Sequence, residues 1–246
     1  MSCKIVIPSH KRAENVLTTE LVYDPILCVE EAQEGEYREH NPDVEIVTHP
    51  NEIKGLVPKR NWMARKFGEL FMLDDDIMSF NKVYGCEGTT GSIKEKSFVT
   101  ARIYELHDRA KLLGVPLFGF TKNQRPTYHK PFKPFRLDAH ITGCAYGMIW
   151  NEKLYWHEDL KLKEDFWISG LVKHYHRKIL TDTRYCFTQK DTFVNPGGLS
   201  SIRNQENEWE SMLMVRKYFG KCVSLKTEKW GSKKINKLNI TMKFDF

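Results

Sequence analysis

The sequence has no apolar run approaching the roughly 18 residues that a membrane-spanning helix needs. It also lacks closely spaced cysteines, because its six cysteines are scattered with no C-x-x-C pair and several lie in apolar runs. This spacing disfavours a zinc site or a disulfide framework and favours a reducing, intracellular compartment. No signal-peptide pattern precedes the first β-like run, which starts at Lys4. We therefore expect a cytoplasmic protein without membrane contact.

Acidic residues are nearly missing from two stretches of the chain. Residues 122–136 hold five Lys or Arg and no acid, and residues 216–243 hold nine Lys or Arg with only Glu228 against them. The net charge is only +6 and the hydrophobic content of 41% is ordinary for a globular protein. Such local basic surfaces suit a polyanionic partner or a phosphorylated substrate, although a solvated surface gives the same composition.

The first third of the chain alternates between strand and helix patterns. The β-branched run Lys4–Pro8 predicts a buried strand, followed by a polar turn and a short helix to about residue 18. Further strands are predicted at 25–29, 44–47 and 70–73, with helices at 30–40 and 57–67 between them. This order predicts a parallel sheet with crossover helices, in which ligands bind beyond the carboxyl ends of the strands.

The remaining elements continue an α/β pattern. We expect a Gly-rich loop at 84–94, irregular structure at 121–136, a strand–loop–strand unit at 138–150 and a turn at 195–198. Helices are predicted at 98–113, 164–174 and 206–219, with strands at 116–120 and 179–189. The length suits a single domain over residues 1–205, with a C-terminal helix and partly ordered basic tail, residues 206–246, packed on it.

Three consecutive carboxylates, Asp74, Asp75 and Asp76, follow the apolar run Leu70–Leu73. Alternate residues of an extended chain point the same way, so Asp74 and Asp76 are expected to converge on one site. Two hard oxygen ligands suit Mg²⁺ or Mn²⁺ carrying a diphosphate. A bare triplet of this kind is also typical of a solvated acidic turn or a helix N-cap, but its place after a buried strand favours the metal.

These features resemble the GT-A glycosyltransferases, in the strand ending at Pro8-Ser9, the Pro58–Asn61 helix start and the Leu73–Asp76 motif. The resemblance implies an α/β, Rossmann-like GT-A fold with a mixed, mainly parallel sheet flanked by helices. It divides the domain into a donor half at about 1–120 and an acceptor half at about 121–205. It also implies that Asp74 faces the donor ribose, that Asp76 binds the metal with Asp74, and that Asp75 supports them. The other donor-binding residues that it implies are Pro8, Ser9, His10, Arg12, Arg60 and Asn61.

The same resemblance implies two acceptor motifs. The segment 141–147 fits a glycine-bearing acceptor loop, in which Gly143 and Cys144 approach the sugar. Lys163-Glu164-Asp165 fits an x-E-D motif that opens a helix, with Asp165 as the general base and Glu164 as an orienting group. The triplet 157–159 also reads x-E-D, but apolar helical spacing follows the second copy better. Both copies equally suit the ordinary preference of acids for helix N-termini.

The chain departs from the GT-A pattern at the metal site. Many members supply a late histidine to the metal, whereas the last histidine here is His176. The alternatives for the missing ligand are Asp191, Asn195, or diphosphate oxygens and water. The pattern leaves open whether the donor's anomeric configuration is retained or inverted.

The basic and aromatic segments indicate what is glycosylated. Cations contact phosphates, and aromatic rings stack on exposed bases. With the P-S-H-K-R start, the K-R-N helix and the E-D-F-W segment, the chain resembles the TET-associated glycosyltransferases of phages. The resemblance implies a UDP-sugar donor, an acceptor such as 5-hydroxymethylcytosine in DNA, and a monomer or weak dimer in the host cytoplasm. The predicted acceptor-binding residues outside the glycine loop are Arg125, Tyr128, His129, Arg136, Lys233 and Lys234.

Three alternatives stay open. One is a glycosyltransferase acting on a cell-envelope saccharide or a lipid-linked sugar, which shares the donor site. A nucleotidyltransferase ranks lower, because the Gly-rich phosphate loop that follows its first strand is missing here. The third is a non-catalytic nucleic-acid-binding module.

Overall fold

The computed structural model describes residues 3–83, 91–122, 129, 132–141, 143–189, 202–229 and 238–244. Their main feature is an eight-stranded sheet. Across the sheet the strands are β3 (Glu45–His49), β2 (Ile26–Glu30), β1 (Lys4–Pro8), β4 (Glu69–Leu73), β9 (Ala145–Ile149), β7 (Leu117–Phe120), β10 (Leu180–Asp182) and β8 (Phe135–Arg136). Strands β1 to β4 lie parallel to one another, and β9 runs antiparallel to β4 and β7. The prediction of a mixed, mainly parallel sheet is confirmed.

Five α-helices are described: α1 (Glu34–His40), α2 (Leu56–Phe67), α3 (Lys96–Leu112), α4 (Glu164–His176) and α5 (Gln205–Phe219). The helices predicted from the apolar spacing are confirmed at these places. None of the helices in the described part of the chain is both long and apolar enough to span a bilayer.

The sheet is buried on both faces because its central strands β1, β2 and β4 are apolar apart from one charged residue at an end of each. Ile5 and Ile7 belong to one core, with residues of α1 and α3, whereas Val6 belongs to the other, with residues of α2, α4 and α5. Continuous apolar strands of this kind are typical of parallel sheets covered by helices on both sides. Met212 and Val215 of α5 lie in the second core, so this helix packs on the domain.

Two smaller sheets complete the described chain. Strands β5 (Ile77–Lys82), β6 (Ser92–Ile93) and β11 (Tyr185–Gln189) form one, and the hairpin β12 (Val223–Lys229) and β13 (Leu238–Phe244) forms the other. Strand β5 was not predicted from the sequence, and only a partly ordered tail was predicted where the hairpin lies. Most of the predicted 84–94 loop and all of the 195–198 turn lie outside the described residues.

Two local predictions were wrong. The short helix expected to residue 18 is a pair of 3-10 turns, because the Thr18 hydroxyl donates to the Asp74 carbonyl at 2.6 Å and accepts from the Ile77 amide at 3.0 Å. The strand expected before Gly143 is also missing among the described residues of that segment, where Asp138 makes only an isolated bridge to Ile179.

The close packing of β9 on β7 yields a prediction about Gly147. A Cβ atom at this position would lie 2.0 to 2.7 Å from ring atoms of Phe118, which is fully buried. We expect Gly147→Ala to destabilise the fold by about 1–3 kcal/mol, the usual result of overpacking. Urea unfolding measures this difference.

Gly35 provides the matched control, because it lies in α1 and a Cβ there meets nothing within 4 Å. Gly35→Ala is expected to leave the stability unchanged or to raise it by up to about 1 kcal/mol through the better helix propensity of alanine. Equal stabilities of the two variants would contradict the packing described here.

Candidate active site

The central carboxylate of the triplet, Asp75, points into the protein. Its side chain accepts the Ser9 hydroxyl at 2.5 Å and Arg12 Nη1 at 2.8 Å, and the residue is only 6% exposed. The Ser9 hydroxyl also lies 2.7 Å from the phenolic oxygen of Tyr37 in α1. Asp75 therefore fixes the loop that follows β1 against the end of β4.

The outer two carboxylates, Asp74 and Asp76, face the same point. The side-chain amide nitrogen of Gln189 donates to Asp74 Oδ2 at 3.0 Å and to Asp76 Oδ1 at 2.9 Å. The other Asp76 oxygen lies 3.5 Å from Arg12 Nη1. The alternation predicted from the sequence thus brings one oxygen of each outer carboxylate around a single hydrogen-bond donor.

The surroundings of Asp74 change the pKa of its carboxyl group. Burial raises the pKa of Asp74 to about 7, Arg60 opposes that rise, and the charges of Asp76, Asp75 and Glu164 add to it. A cation between Asp74 and Asp76 would relieve this repulsion, so the two carboxylates fit a divalent metal.

The protein ligands for such a metal are few in the part of the chain described here. Within it, no group of three or more His, Cys, Asp or Glu side chains comes together as a metal site. Asp191 and Asn195, the alternatives considered for a third ligand, lie outside the described residues. The described carboxylates therefore supply at most two ligands.

A buried guanidinium, that of Arg60 in α2, connects the triplet to the acceptor motifs. Its Nη1 donates to Glu164 Oε1 at 3.0 Å, and its Nη2 donates to Asp74 Oδ1 at 3.2 Å and to the Gly143 carbonyl at 2.9 Å. The ring of Tyr146 lies 5.3 Å from the guanidinium carbon. With only 1% of its surface exposed, Arg60 lies behind the site and fixes its parts rather than lining a donor cleft.

The glycine-bearing loop runs between the triplet and α4. The Asp74 amide donates to the Cys144 carbonyl at 2.9 Å, which continues the sheet pairing beyond β4. A Cβ on Gly143 would lie 3.4 Å from Glu164 Oε1 and 3.7 Å from Asp165 Cβ. The structure therefore brings Gly143 and Cys144 together with both the triplet and the x-E-D motif.

The second x-E-D copy opens α4, as the apolar spacing predicted. Lys163, immediately before it, has a left-handed backbone with φ of 67°, which is unusual for a residue with a side chain. Glu164 is buried against Arg60, and Asp165 Oδ1 accepts the Phe166 amide at 2.9 Å. Burial, and then the charge of Glu164, raises the pKa of Asp165 to about 6. An aspartate tuned in this direction suits a general base.

The first copy has a different environment. Glu158 and Asp159 are exposed in a turn that precedes Leu160. His157 is also partly exposed and lies 3.8 Å from Asp159. Arg60 and Gly143 contact the second copy, so the geometry supports the choice of Glu164 and Asp165.

The predicted donor-binding residues divide into two groups. Pro8 ends β1 beside Cys28, and the ring of His10 is partly exposed with Nδ1 2.8 Å from Gln33 Nε2 and 3.6 Å from Glu30 Oε2. Asn61 instead forms two hydrogen bonds with the Trp156 backbone, at 2.7 and 2.8 Å. The structure thus brings His10 and the Ser9–Arg12 loop to the carboxyl edge of the sheet, whereas the amide of Asn61 holds the chain before α4.

Three residues that the sequence analysis missed complete this edge. Glu30 ends β2, and Gln33 Nε2 donates to its Oε2 at 3.1 Å. Lys59 Nζ, which is buried, donates to the Ser9 carbonyl at 2.8 Å. The position of Glu30 at the end of a parallel strand was a usable signal, since ligands bind at such ends.

The predicted acceptor residues are only partly described. Arg136 forms two hydrogen bonds of 2.9 Å with Asp138, and His129 Nδ1 lies 3.2 Å from Thr183 Oγ1. The other four predicted contacts lie outside the described residues: Arg125, Tyr128, Lys233 and Lys234.

An aromatic pair beside Asp165 was not predicted. The rings of His140 and Phe166 stack with centroids 5.3 Å apart and an angle of 22°. Burial, and then the nearby charges of Lys122, Lys173 and Arg136, lowers the pKa of His140 to about 4. At neutral pH this is an uncharged aromatic surface with basic groups around it.

The chain resembles known proteins in sequence and in fold. The family model described as TET-Associated Glycosyltransferase matches residues 3–198. None of the curated proteins matches the chain significantly.

Two solved structures of Staphylococcus aureus TarS, residues 1–349, resemble the chain in fold. They are 11% and 12% identical in sequence to it, with TM-scores of 0.52 and 0.57, and the second was solved in complex with UDP-GlcNAc. Each similarity covers 88% of this chain but only 65% or 66% of the solved TarS chain, slightly less than two thirds of that chain's length. The likeness confirms the GT-A fold.

The raised pKa of Asp165 yields a prediction with a definite sign. Because its pKa in the folded protein is about 6 rather than the ordinary 3.8, the protonated form stabilises the fold below about pH 4. That stabilisation is lost as the pH rises through about 6. The melting temperature of the wild type minus that of Asp165→Asn should therefore be larger at pH 5 than at pH 8. Thermal unfolding of both proteins across this range measures the difference.

The control is Asp159→Asn, which changes the exposed x-E-D copy and should alter the melting temperature far less between pH 5 and pH 8 than Asp165→Asn does. A ¹³C NMR titration that places the Asp165 carboxyl near pH 4 would contradict the burial described here.

Proposed function

The chain belongs to the TET-associated glycosyltransferase family, and on this basis we propose that it transfers a sugar from a UDP-sugar to a hydroxymethylated base in DNA, such as 5-hydroxymethylcytosine. The observation that carries the proposal is the buried Arg60, which joins Asp74 to Glu164. One site thereby holds Asp74, which suits a metal that carries the donor diphosphate, and the pair Glu164 and Asp165, which suits an acceptor hydroxyl.

The donor is proposed to bind at the carboxyl edge of β1, β2 and β4. There the Ser9–Arg12 loop is fixed by Asp75, while Glu30, Gln33 and His10 offer polar groups to a base and ribose. The TarS structure solved with UDP-GlcNAc shares this fold. That likeness supports a uridine diphosphate carrier for the sugar.

The metal is proposed to be Mn²⁺ or Mg²⁺, held by Asp76 and Asp74. When bound, it would neutralise the diphosphate and stabilise the departing nucleoside diphosphate. The raised pKa of Asp74 supports this role, because a carboxylate in such surroundings gains from a cation beside it.

The transfer itself needs a proton acceptor, for which Asp165 is proposed. As the acceptor oxygen bonds to the anomeric carbon of the sugar, the bond from that carbon to the diphosphate breaks and Asp165 takes the hydroxyl proton. Glu164 is held by Arg60, so it orients the start of α4 and keeps the pKa of Asp165 high.

The stacked rings of His140 and Phe166 support a base as the acceptor. Phe166 follows Asp165 directly, so an unstacked base lying on this pair would bring its hydroxymethyl group close to the proposed general base. A base in duplex DNA would have to flip out to reach it. Lys122, Lys173 and Arg136 lie around His140 and suit the phosphates of the acceptor strand.

The test is a transfer assay with Asp76→Asn. We expect the wild type with Mn²⁺ to add a sugar to hydroxymethylated DNA from one member of a panel of UDP-sugars, detected by mass spectrometry of the nucleosides. Asp76→Asn should lose at least about 100-fold in rate, as expected for the removal of an electrostatic stabiliser of the leaving group. It should keep salt-dependent DNA binding.

The exposed residue Asp159 again supplies the matched control, and Asp159→Asn should transfer sugar at the wild-type rate. Transfer to a saccharide or lipid-linked acceptor, with none to DNA, would favour the cell-envelope alternative. DNA binding without transfer to any acceptor would favour a non-catalytic binding module.

A further inference from the structure

We propose that Gln189 supplies its side-chain carbonyl oxygen as a third protein ligand to the cation held by Asp74 and Asp76, an inference that rests on the metal role proposed above. The residue lies at the end of β11, and it takes the place of the late histidine that the chain lacks.

An irregularity in strand pairing places Gln189 beside the triplet. Strands β11 and β5 pair regularly from Tyr185 to Thr188, which lies opposite Ser79. The register then shifts, so that Gln189 lies opposite Ile77 instead of Met78. Ile77 directly follows Asp76, so the shift brings Gln189 one residue closer to the carboxylates. Bulges of this kind commonly re-aim a side chain at a functional site.

The two hydrogen bonds of Gln189 mark the position between the carboxylates. Its amide nitrogen lies 3.0 Å from Asp74 Oδ2 and 2.9 Å from Asp76 Oδ1, so one donor group satisfies both oxygens. An NH₂ group in this place repels a cation. Rotation of the amide plane by half a turn exchanges its nitrogen and its oxygen and presents an acceptor to the same point.

The ligand chemistry agrees with this exchange. Mg²⁺ and Mn²⁺ prefer hard oxygen ligands, and the carbonyl oxygen of a glutamine is one of them. Asp75 is not available as a third ligand, because Ser9 and Arg12 occupy both of its oxygens. A neutral third ligand also adds no further negative charge beside the three carboxylates of the triplet.

The test measures metal binding without sugar transfer. Mn²⁺ affinity of the full chain is determined in the presence of UDP by the EPR signal of free Mn²⁺, and circular dichroism checks that each variant is folded. We expect Gln189→Ala to weaken binding by about 10- to 100-fold, the range found when groups that support a metal site are removed. The control Thr188→Ala should bind as the wild type does, because this threonine accepts a hydrogen bond from Asn81 and does not touch the triplet.

A second variant separates a ligand from a hydrogen-bond donor. Gln189→Glu keeps an oxygen but has no NH₂ group, so it should bind Mn²⁺ as tightly as the wild type or more tightly. If Gln189→Glu loses as much affinity as Gln189→Ala, the amide acts as a donor that positions the carboxylates, and the ligand role is overturned.

The remaining outcomes separate this inference from the metal proposal. Wild-type or tighter binding by Gln189→Ala, together with lost binding by Asp76→Asn, would overturn the role of Gln189 and keep the metal site. Wild-type affinity in Asp76→Asn would overturn the metal site itself, and the role of Gln189 with it.

Discussion

The candidate site depends on one buried cation, the guanidinium of Arg60. Burying a charge is costly unless it is paired and hydrogen-bonded, so a fold keeps such a group only where several acceptors surround it. Here the acceptors come from three separate segments: the end of β4, the glycine-bearing loop and the start of α4. Because one rigid, planar group bonds to all three, their relative positions are fixed before any ligand arrives.

The same arrangement concentrates negative charge around the site. Burial and the neighbouring carboxylates raise the pKa of Asp74, and burial together with the charge of Glu164 raises the pKa of Asp165. Arg60 balances only part of this negative charge. A fold optimised for stability alone would avoid such crowding, whereas sites that bind cations or accept protons need it. The left-handed backbone at Lys163, next to Glu164, is a further local cost at the same place.

The sequence predicted the parts of this site that local patterns determine. Asp74 to Asp76 were placed correctly because an apolar strand precedes them, and the start of α4 was placed by the apolar spacing that follows Asp165. The pairing of Arg60 with Glu164 was not predictable, since the two residues are 104 positions apart and no local pattern connects them. The position of Gln189 depends on a strand irregularity, which likewise has no signature in the sequence.

Burial and strand pairing explain two other differences between prediction and structure. The resemblance to GT-A glycosyltransferases implied that Arg60 and Asn61 lie near the donor, yet both are buried and hydrogen-bonded inside the protein. A partly ordered tail was expected where the hairpin β12–β13 lies, because this part of the chain is rich in basic residues. Composition describes such a segment, but pairing between its two halves decides its structure.

The most direct measurement is a double-mutant cycle between Arg60 and Glu164, with unfolding free energies determined in urea for Arg60→Met, Glu164→Gln and the double variant. If the buried guanidinium holds the start of α4, the two changes are coupled by about 1–3 kcal/mol, and the double variant loses little beyond Arg60→Met alone. Additivity within about 0.5 kcal/mol would show that the two groups act independently and would contradict a site organised around Arg60.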